Sequence, residues 1–211
     1  MKQSYTKTSW ALFIILSLSI GLYPVMYAFT GMSPIGLLST KAPELLISSS
    51  YSLLFTVHII TGGIALTIGW MQFIKKWRNA HKDLHKLIGK IYLISILISS
   101  LSSIYIALFA TGGIISTLGF ICLAIVWLIA GGMAYLAILK RKIAKHKNWM
   151  IRSYALTWAA VTLRLQLPIF GLIFGFQNFE NYYQAVAWTC WIPNLLVVNY
   201  FISRNAPSLS S

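Results

Sequence analysis

The sequence is poor in acidic residues and in charge of any kind. Its 211 residues include only 3 Asp and Glu, and charged residues make up 9% of the chain, against about 25% in an ordinary soluble domain. Three acids are too few for a carboxylate cage around Ca²⁺ or for paired-carboxylate acid/base catalysis. Because 58% of the residues are hydrophobic, this composition indicates an integral membrane protein.

Cysteines and catalytic motifs are also scarce. Cys122 and Cys190 both lie inside apolar runs, so the sequence predicts neither a disulfide framework nor a cysteine metal site. The chain has no phosphate-binding loop, no HExxH motif and no recognisable set of nucleophile, base and orienting residue. An enzyme is therefore the least supported class, and no catalytic residue is predicted.

Long apolar runs are what the sequence has in abundance. A hydrocarbon core of about 30 Å requires about 20 residues of apolar helix. Six segments reach or approach that length: 9–29, 51–74, 91–110, 114–139, 153–176 and 184–203. The first is longer than the hydrophobic region of a typical signal peptide and no clear cleavage site follows it, so we interpret it as an anchor. The predicted fold class is all-α, a single bundle of six transmembrane helices over residues 1–211.

The basic residues indicate the orientation of these helices. Lys and Arg number 17 and the formal net charge is +14, but they lie in short segments between apolar runs, which does not predict a nucleic-acid-binding face. All except Lys41 and Arg164 fall on one side of the predicted bundle, from Lys2 and Lys7 before the first helix to Arg204 after the last. Since cytoplasmic loops carry the Lys/Arg excess, both termini are predicted to be cytoplasmic. The two basic loops would hold anionic lipid headgroups of the bilayer.

One face of the second predicted helix is small and polar. His58, Gly62, Ala65, Gly69 and Gln72 recur at helical spacing and share one stripe of its surface. In lipid, small residues let helices approach and polar residues turn toward the bundle interior, so this face should pack against protein. For the histidine of this stripe, a structural and a functional role are both open.

The fifth predicted helix carries an arginine close to the expected bilayer midplane. Arg164 has no Asp or Glu in any predicted span to pair with, and a charge at that depth costs ~2.5–3.5 kcal/mol on insertion scales. Pro168 and Pro193 cannot donate to the carbonyls of Arg164 and Thr189, so a kink and a free carbonyl are expected at each proline, the second beside Asn194. Either a ligand or polar cavity, or the freed carbonyls, would satisfy the guanidinium.

Two histidines are predicted to lie at the cytoplasmic edge. His85 opens the third helix and His146 the fifth, and these helices start from the same side of an up-and-down bundle. Imidazole binds iron, copper and zinc, so the pair could hold a haem or a metal ion. The alternative is that both rings bond to helix ends or lipid phosphates, which is also the interpretation for His81.

Several short motifs lie between the second and sixth helices. They are His58 with Gly62 and Ala65-Leu66, Gly69 with Gln72-Phe73, His85-Lys86 with Gly89-Lys90 and Tyr92, Gly119-Phe120 with Trp127, His146 with the run Trp149 to Leu156, Ala160 to Arg164, and Trp191 with Pro193-Asn194-Leu195. On these residues the chain resembles a family of bacterial predicted membrane proteins, domain of unknown function 2306. The resemblance implies a multi-pass protein of a bacterial inner membrane with no assigned activity. It singles out a polar signature of His58, His85, His146, Arg152 and Arg164.

The function predicted from these features is binding of a small ligand in a polar interior. His58, Gln72, Arg164 and Asn194 are the predicted lining residues, and haem or a quinone in a redox role are the candidate ligands. The haem hypothesis draws on a fold-level analogy with transmembrane b-type cytochromes, with His85 and His146 as the pair of ligands. The alternatives are a transporter of a small anionic solute and a non-catalytic, lipid-associated structural protein.

Overall fold

A computed structural model describes residues 7–34 and 36–204, and within them all regular structure is helical. Lys2, part of the predicted N-terminal basic segment, lies outside the described residues. The chain divides into two compact units, Met1–Ile106 and Ala107–Ser211. The expectation of a single transmembrane domain over the whole chain stays a prediction.

The first unit contains three long helical segments joined by short helices. They are α1 (Lys7–Gly21), α2 (Pro24–Thr30), α3 (Pro43–Leu46), α4 (Ser49–Gly69), α5 (Lys75–Ala80) and α6 (Lys82–Ala107), whose last residue falls at the boundary. Two 3₁₀ helices, Gly36–Thr40 and Trp70–Phe73, precede α3 and α5. Pro24 stands in the first turn of α2, where a proline requires no donor from its nitrogen, so the chain can restart a helix there.

The second unit contains one unbroken long helix and two interrupted ones. Its elements are α7 (Gly113–Leu139), α8 (Ile143–Thr157), α9 (Ala159–Phe174), a 3₁₀ helix at Phe176–Asn178, α10 (Phe179–Thr189) and α11 (Ile192–Arg204). Gly112 and Gly113 have φ of 85° and 67° and form a tight turn before α7. Gly175, with φ of 84°, ends α9.

Six segments are long and apolar enough to cross a membrane. They are Lys7–Thr30, Ser49–Phe73, Lys82–Ala107, Gly113–Leu139, Ile143–Phe174 and Phe176–Arg204. Three lie in each unit. The predicted all-α fold with six transmembrane helices is confirmed.

The basic segments differ from the prediction, because much of their length is helical. The third span begins at Lys82 instead of residue 91, and the fifth at Ile143 instead of residue 153. Hydropathy detects only the apolar centre of a span, whereas Lys and Arg are good helix formers and continue a helix beyond it. Residues 177–183, which lie between the predicted spans 153–176 and 184–203, are likewise mostly helical, since α10 begins at Phe179.

Close backbone approach holds the first unit together. A Cβ added to Gly63 on α4 would lie 2.5 Å from the carbonyl oxygen of Gly21, so α1 and α4 cross where neither helix has a side chain. At one end of the unit, Leu38, Leu46 and Tyr51 form a buried cluster with Tyr27 and Phe55 packed against it. The short helices between α2 and α4 therefore belong to the folded core.

The second unit is built mainly on the packing of α7 against α8. The buried face of α7 carries small residues at helical spacing, namely Ala124, Ala130, Gly131, Ala134 and Ala137. Among them Trp127 donates from its indole nitrogen to the hydroxyl of Thr157, at 3.0 Å, and that hydroxyl donates to the Ser153 carbonyl. Thr157 is the last residue of α8, so this chain of bonds anchors the helix end.

Candidate functional site

His58 joins α4 to α6 inside the first unit. Its Nδ1 atom lies 3.0 Å from the carbonyl oxygen of Ser99 and 3.0 Å from the Ser99 hydroxyl. That hydroxyl also lies 3.1 Å from the His58 carbonyl, and a Cβ added to Gly62 would lie 3.1 Å from it. Because a carbonyl oxygen only accepts hydrogen bonds, the His58 Nδ1 atom must carry the proton that it donates to the Ser99 carbonyl. In the neutral ring, Nε2 then carries the lone pair. The predicted packing of this face against protein is confirmed.

Gln72 lies in the 3₁₀ helix that follows α4, and its side chain is buried. It is 7% exposed, yet neither its amide nitrogen nor its amide oxygen has a hydrogen-bond partner among the described residues. The indole nitrogen of Trp70, two residues earlier, is buried and unpartnered in the same way. Native proteins pair the large majority of buried polar side-chain atoms, so this concentration within one turn is unusual.

Arg164 lies on α9 and is half-buried. One of its terminal nitrogens, Nη1, donates to the Ala160 carbonyl one turn earlier, at 3.0 Å. This contact fits the interpretation in which backbone carbonyls satisfy the guanidinium, and the predicted ligand-binding role stays a prediction. α9 runs through Pro168 as one helix, so the chain is not broken there, and the kink expected at this proline stays a prediction. A proline removes one donor, and the remaining bonds of the helix can carry it through.

The break in this span lies at Trp158 instead, and Asn194 explains it. The Asn194 amide nitrogen lies 3.3 Å from the Ala155 carbonyl, the acceptor that the N–H of Ala159 would use in an unbroken helix. It also contacts the Thr162 hydroxyl at 2.9 Å and the Cys190 carbonyl at 3.1 Å. A side chain inserted into the backbone ladder is a known cause of helix interruption. These contacts support a structural role for Asn194, whose ligand-binding role stays a prediction.

The chain breaks near Pro193, where a kink is predicted, between α10 and α11. The carbonyl of Thr189, which Pro193 cannot bond, accepts from the Gln166 amide nitrogen at 3.2 Å. The Thr189 hydroxyl lies 3.2 Å from the Gln166 amide oxygen, so the two residues form a closed pair. Gln166 is not among the predicted site residues, although a glutamine two residues before Pro168 on an apolar helix is a signal that the sequence offers.

The histidines predicted at the cytoplasmic edge both stand in the first turn of a helix. His85 is half-buried on α6, and His146 is half-buried on α8. The Nδ1 atom of His146 lies 2.9 Å from the Ala134 carbonyl on α7, so Nε2 is its lone-pair nitrogen. His81 precedes α6, is exposed, and has its ring 6.0 Å from that of Trp77.

The predicted site residues are divided between the two units. His58, Gln72 and His85 belong to the first, and Arg164, Asn194 and His146 to the second. Their convergence on one polar interior and the approach of His85 to His146 stay predictions. No group of three or more His, Cys, Asp or Glu side chains suited to a metal ion occurs in residues 7–34 and 36–204.

The six apolar spans define a multi-pass α-helical membrane protein. The model of a family described as predicted membrane protein (DUF2306) matches residues 55–202. The chain therefore belongs to this family, and the resemblance seen in the sequence is confirmed. Neither the curated proteins nor the solved structures contain a match to the chain.

Proposed function

We propose that this membrane protein binds a small, membrane-soluble ligand where its second span ends, with Gln72 and Trp70 as the polar contacts. The observation that carries the proposal is the buried Gln72 amide, whose two polar atoms both lack a partner among the described residues. A basic helix follows at once, with Lys75, Lys76 and Arg78 on it. This end of the span therefore lies at a membrane surface.

The energetic cost of this arrangement favours a ligand. A buried polar group without a partner costs about 1–3 kcal/mol, and this turn holds three such atoms. A leucine in place of Gln72 would avoid the cost. A ligand that supplies the missing hydrogen-bond partners would offset this free-energy cost. The amide would therefore contribute to binding when the site is filled.

A quinone or hydroquinone head matches the three atoms best. The amide nitrogen and the indole nitrogen are donors, which suit the carbonyl oxygens of a quinone ring. The amide oxygen is an acceptor, which suits the hydroxyl of a hydroquinone. Such rings dissolve in a bilayer and reach a site on a transmembrane helix from the lipid, and apolar pockets with few polar groups are typical of ligand sites.

The test is binding of a short-chain ubiquinone analogue to purified full-length protein, followed by Trp fluorescence quenching and by the ligand-induced shift in Tm. Gln72→Leu is expected to weaken binding about tenfold, the effect of losing ~1.4 kcal/mol of hydrogen bonding. Gln177→Leu is the control, because Gln177 is an exposed glutamine. Wild-type affinity in the Gln72→Leu variant would overturn the proposal, as would failure of the analogue to bind the wild type.

Haem is a second candidate ligand, favoured by the bond from His146 to the Ala134 carbonyl. Histidines that bind metals commonly donate their other ring N–H to a carbonyl, which orients the coordinating nitrogen. A haem iron needs one or two imidazoles, and His146 would be one. Haem would supply one-electron chemistry, while this chain would supply the oriented ring.

An absorption spectrum of protein expressed with ample haem tests this candidate. A Soret band with reduction-dependent α and β bands, lost in His146→Leu and kept in His81→Leu, is the expected result. A colourless wild-type protein would retire it.

The transporter alternative has weaker support. It depends on broken helices that offer carbonyls to a solute, whereas Gln166 and Asn194 already bond the carbonyls at the breaks. We further propose a bacterial inner-membrane location with both termini cytoplasmic, on the distribution of Lys and Arg.

A further inference from the structure

Arg152 on α8 is held in one orientation by two neighbours. Its Nε atom donates to the amide oxygen of Asn199 on α11, at 2.7 Å. Its guanidinium carbon lies 4.8 Å from the centre of the Trp149 ring, so the planar group stacks over an aromatic face. Both partners are uncharged, and the two terminal nitrogens of Arg152 form no hydrogen bond within residues 7–34 and 36–204.

The pairing of α8 with α11 places further cations at the same end of the unit. Asn194 contacts Ala155 and Asn199 contacts Arg152, so the helices run antiparallel. Arg204 lies five residues after Asn199 on α11. Since the helices are antiparallel, it lies opposite a position about five residues before Arg152 on α8, near Lys147. Arg204 also stacks on an aromatic ring, that of Tyr200, at 4.7 Å.

No acid compensates this positive charge among residues 107–204, the part of the second unit that the structure describes. Glu180 is the unit's acidic residue, and it stands in the first turn of α10. At 1.5 Å of helix rise per residue, the 19 residues from Glu180 to Asn199 correspond to about 28 Å along the chain direction. The ion pair between Lys86 and Asp83 belongs to the first unit. The anion that Arg152 needs must therefore come from outside these residues.

We propose that Arg152 binds the phosphate of an anionic membrane lipid through its two terminal nitrogens. Asn199 and Trp149 position the guanidinium. Arg152 lies two turns beyond the exposed cations Lys145 and Lys147, where a helix enters the apolar layer and lipid phosphates are found. A planar fork with one edge available matches two phosphate oxygens at once. The inference is independent of the ligand proposed for Gln72.

Native mass spectrometry of the full chain, with phosphatidylglycerol and phosphatidylcholine of equal chain length, tests this site. The wild type is expected to retain phosphatidylglycerol preferentially, and Arg152→Gln to reduce its retention about fivefold. Arg152→Lys keeps the charge without the fork and should give an intermediate loss. Lys142→Gln removes the same charge from an exposed position before α8 and should change retention less than twofold.

Asn199→Leu tests positioning. It should weaken phosphatidylglycerol binding in the wild-type background and have no further effect in Arg152→Gln. Equal losses in Arg152→Gln and Lys142→Gln would overturn the proposal, because general charge would then account for the lipid. Displacement of the lipid by millimolar inorganic phosphate would also overturn it, because the site would then take its phosphate from solution.

Discussion

Three amide side chains of this protein lie in apolar surroundings, and they differ in whether they find hydrogen-bond partners. Asn194 and Gln166 bond carbonyls that helix breaks leave without a backbone partner. Gln72 is equally capable of such bonds but has none among the described residues. The same chemical group therefore stabilises the fold in two places and costs free energy in the third.

From this contrast we expect that replacing glutamine by leucine has opposite effects on stability at positions 166 and 72. Gln166→Leu should lower the free energy of unfolding by about 1–3 kcal/mol, because the Thr189 carbonyl would lose its partner in an apolar environment. Gln72→Leu should raise it by about 1–2 kcal/mol in ligand-free protein, since a buried unpaired amide is removed. Thermal unfolding in detergent measures both, and changes of the same sign would contradict the interpretation.

At the scale of the helices, bond partners distant in the chain determine where a span bends. Pro168 stands inside α9 without interrupting it, whereas the fifth span breaks at Trp158, where Asn194 occupies the Ala155 carbonyl. Proline removes one bond locally, but an inserted side chain also offers the freed carbonyl a new partner. The breaks at Trp158 and near Pro193 therefore occur where a second helix supplies a hydrogen-bond partner to the freed carbonyl.

Glycines of the helices should respond to alanine according to what lies beside them. Gly63→Ala is expected to destabilise the protein by about 1–3 kcal/mol, because its Cβ would lie 2.5 Å from the Gly21 carbonyl oxygen at the crossing of α1 and α4. Gly132→Ala on α7 meets nothing within 4 Å and should stabilise by about 0.5–1 kcal/mol through helix propensity.

Unfolding titrations of the two glycine variants check this expectation. The pair is matched, because each substitution adds one methyl group to a long transmembrane helix. A neutral Gly63→Ala variant would show that the backbones of α1 and α4 separate without cost.

At the scale of the whole molecule, an even number of spans places both ends of the chain on one side of the membrane. Six spans satisfy this condition, and the Lys and Arg residues decide which side. The first turn of α6 and the segment before α8 carry many of them, while Lys41, between α2 and α3, is predicted to lie on the other side. Burial lowers the pKa of Lys41 to about 8, so this lysine still carries its positive charge over most of its population near pH 7.

Cysteine labelling of intact cells tests this topology. Lys41→Cys should react with an impermeant maleimide, whereas Lys82→Cys and Lys145→Cys should react only after the cells are opened. The native Cys122 and Cys190 are replaced by serine or alanine in the background. External labelling at position 82 or 145 without labelling at position 41 would reverse the orientation.

The spans were predictable from the sequence because insertion of a helix into a membrane depends on the hydrophobicity of consecutive residues. The apolar centre of each span is a property of about 20 consecutive residues, so the six runs in the sequence correspond to the six helical segments. The helix starts at Lys82 and Ile143 were not predictable from hydropathy, since the basic first turns of α6 and α8 are helical without being apolar.

The sequence by itself determined the class of protein, the number of spans and the candidate polar residues. Tertiary structure decided what each polar residue does, because its partners lie far along the chain: Ser99 for His58, Asn199 for Arg152 and Thr162 for Asn194. Whether a polar side chain buried in an apolar medium stabilises the protein depends on its hydrogen-bond partner. Helix packing determines which group that partner is. The unpartnered amide of Gln72 became visible for the same reason, since only packing reveals that no hydrogen-bonding group of the described residues reaches it.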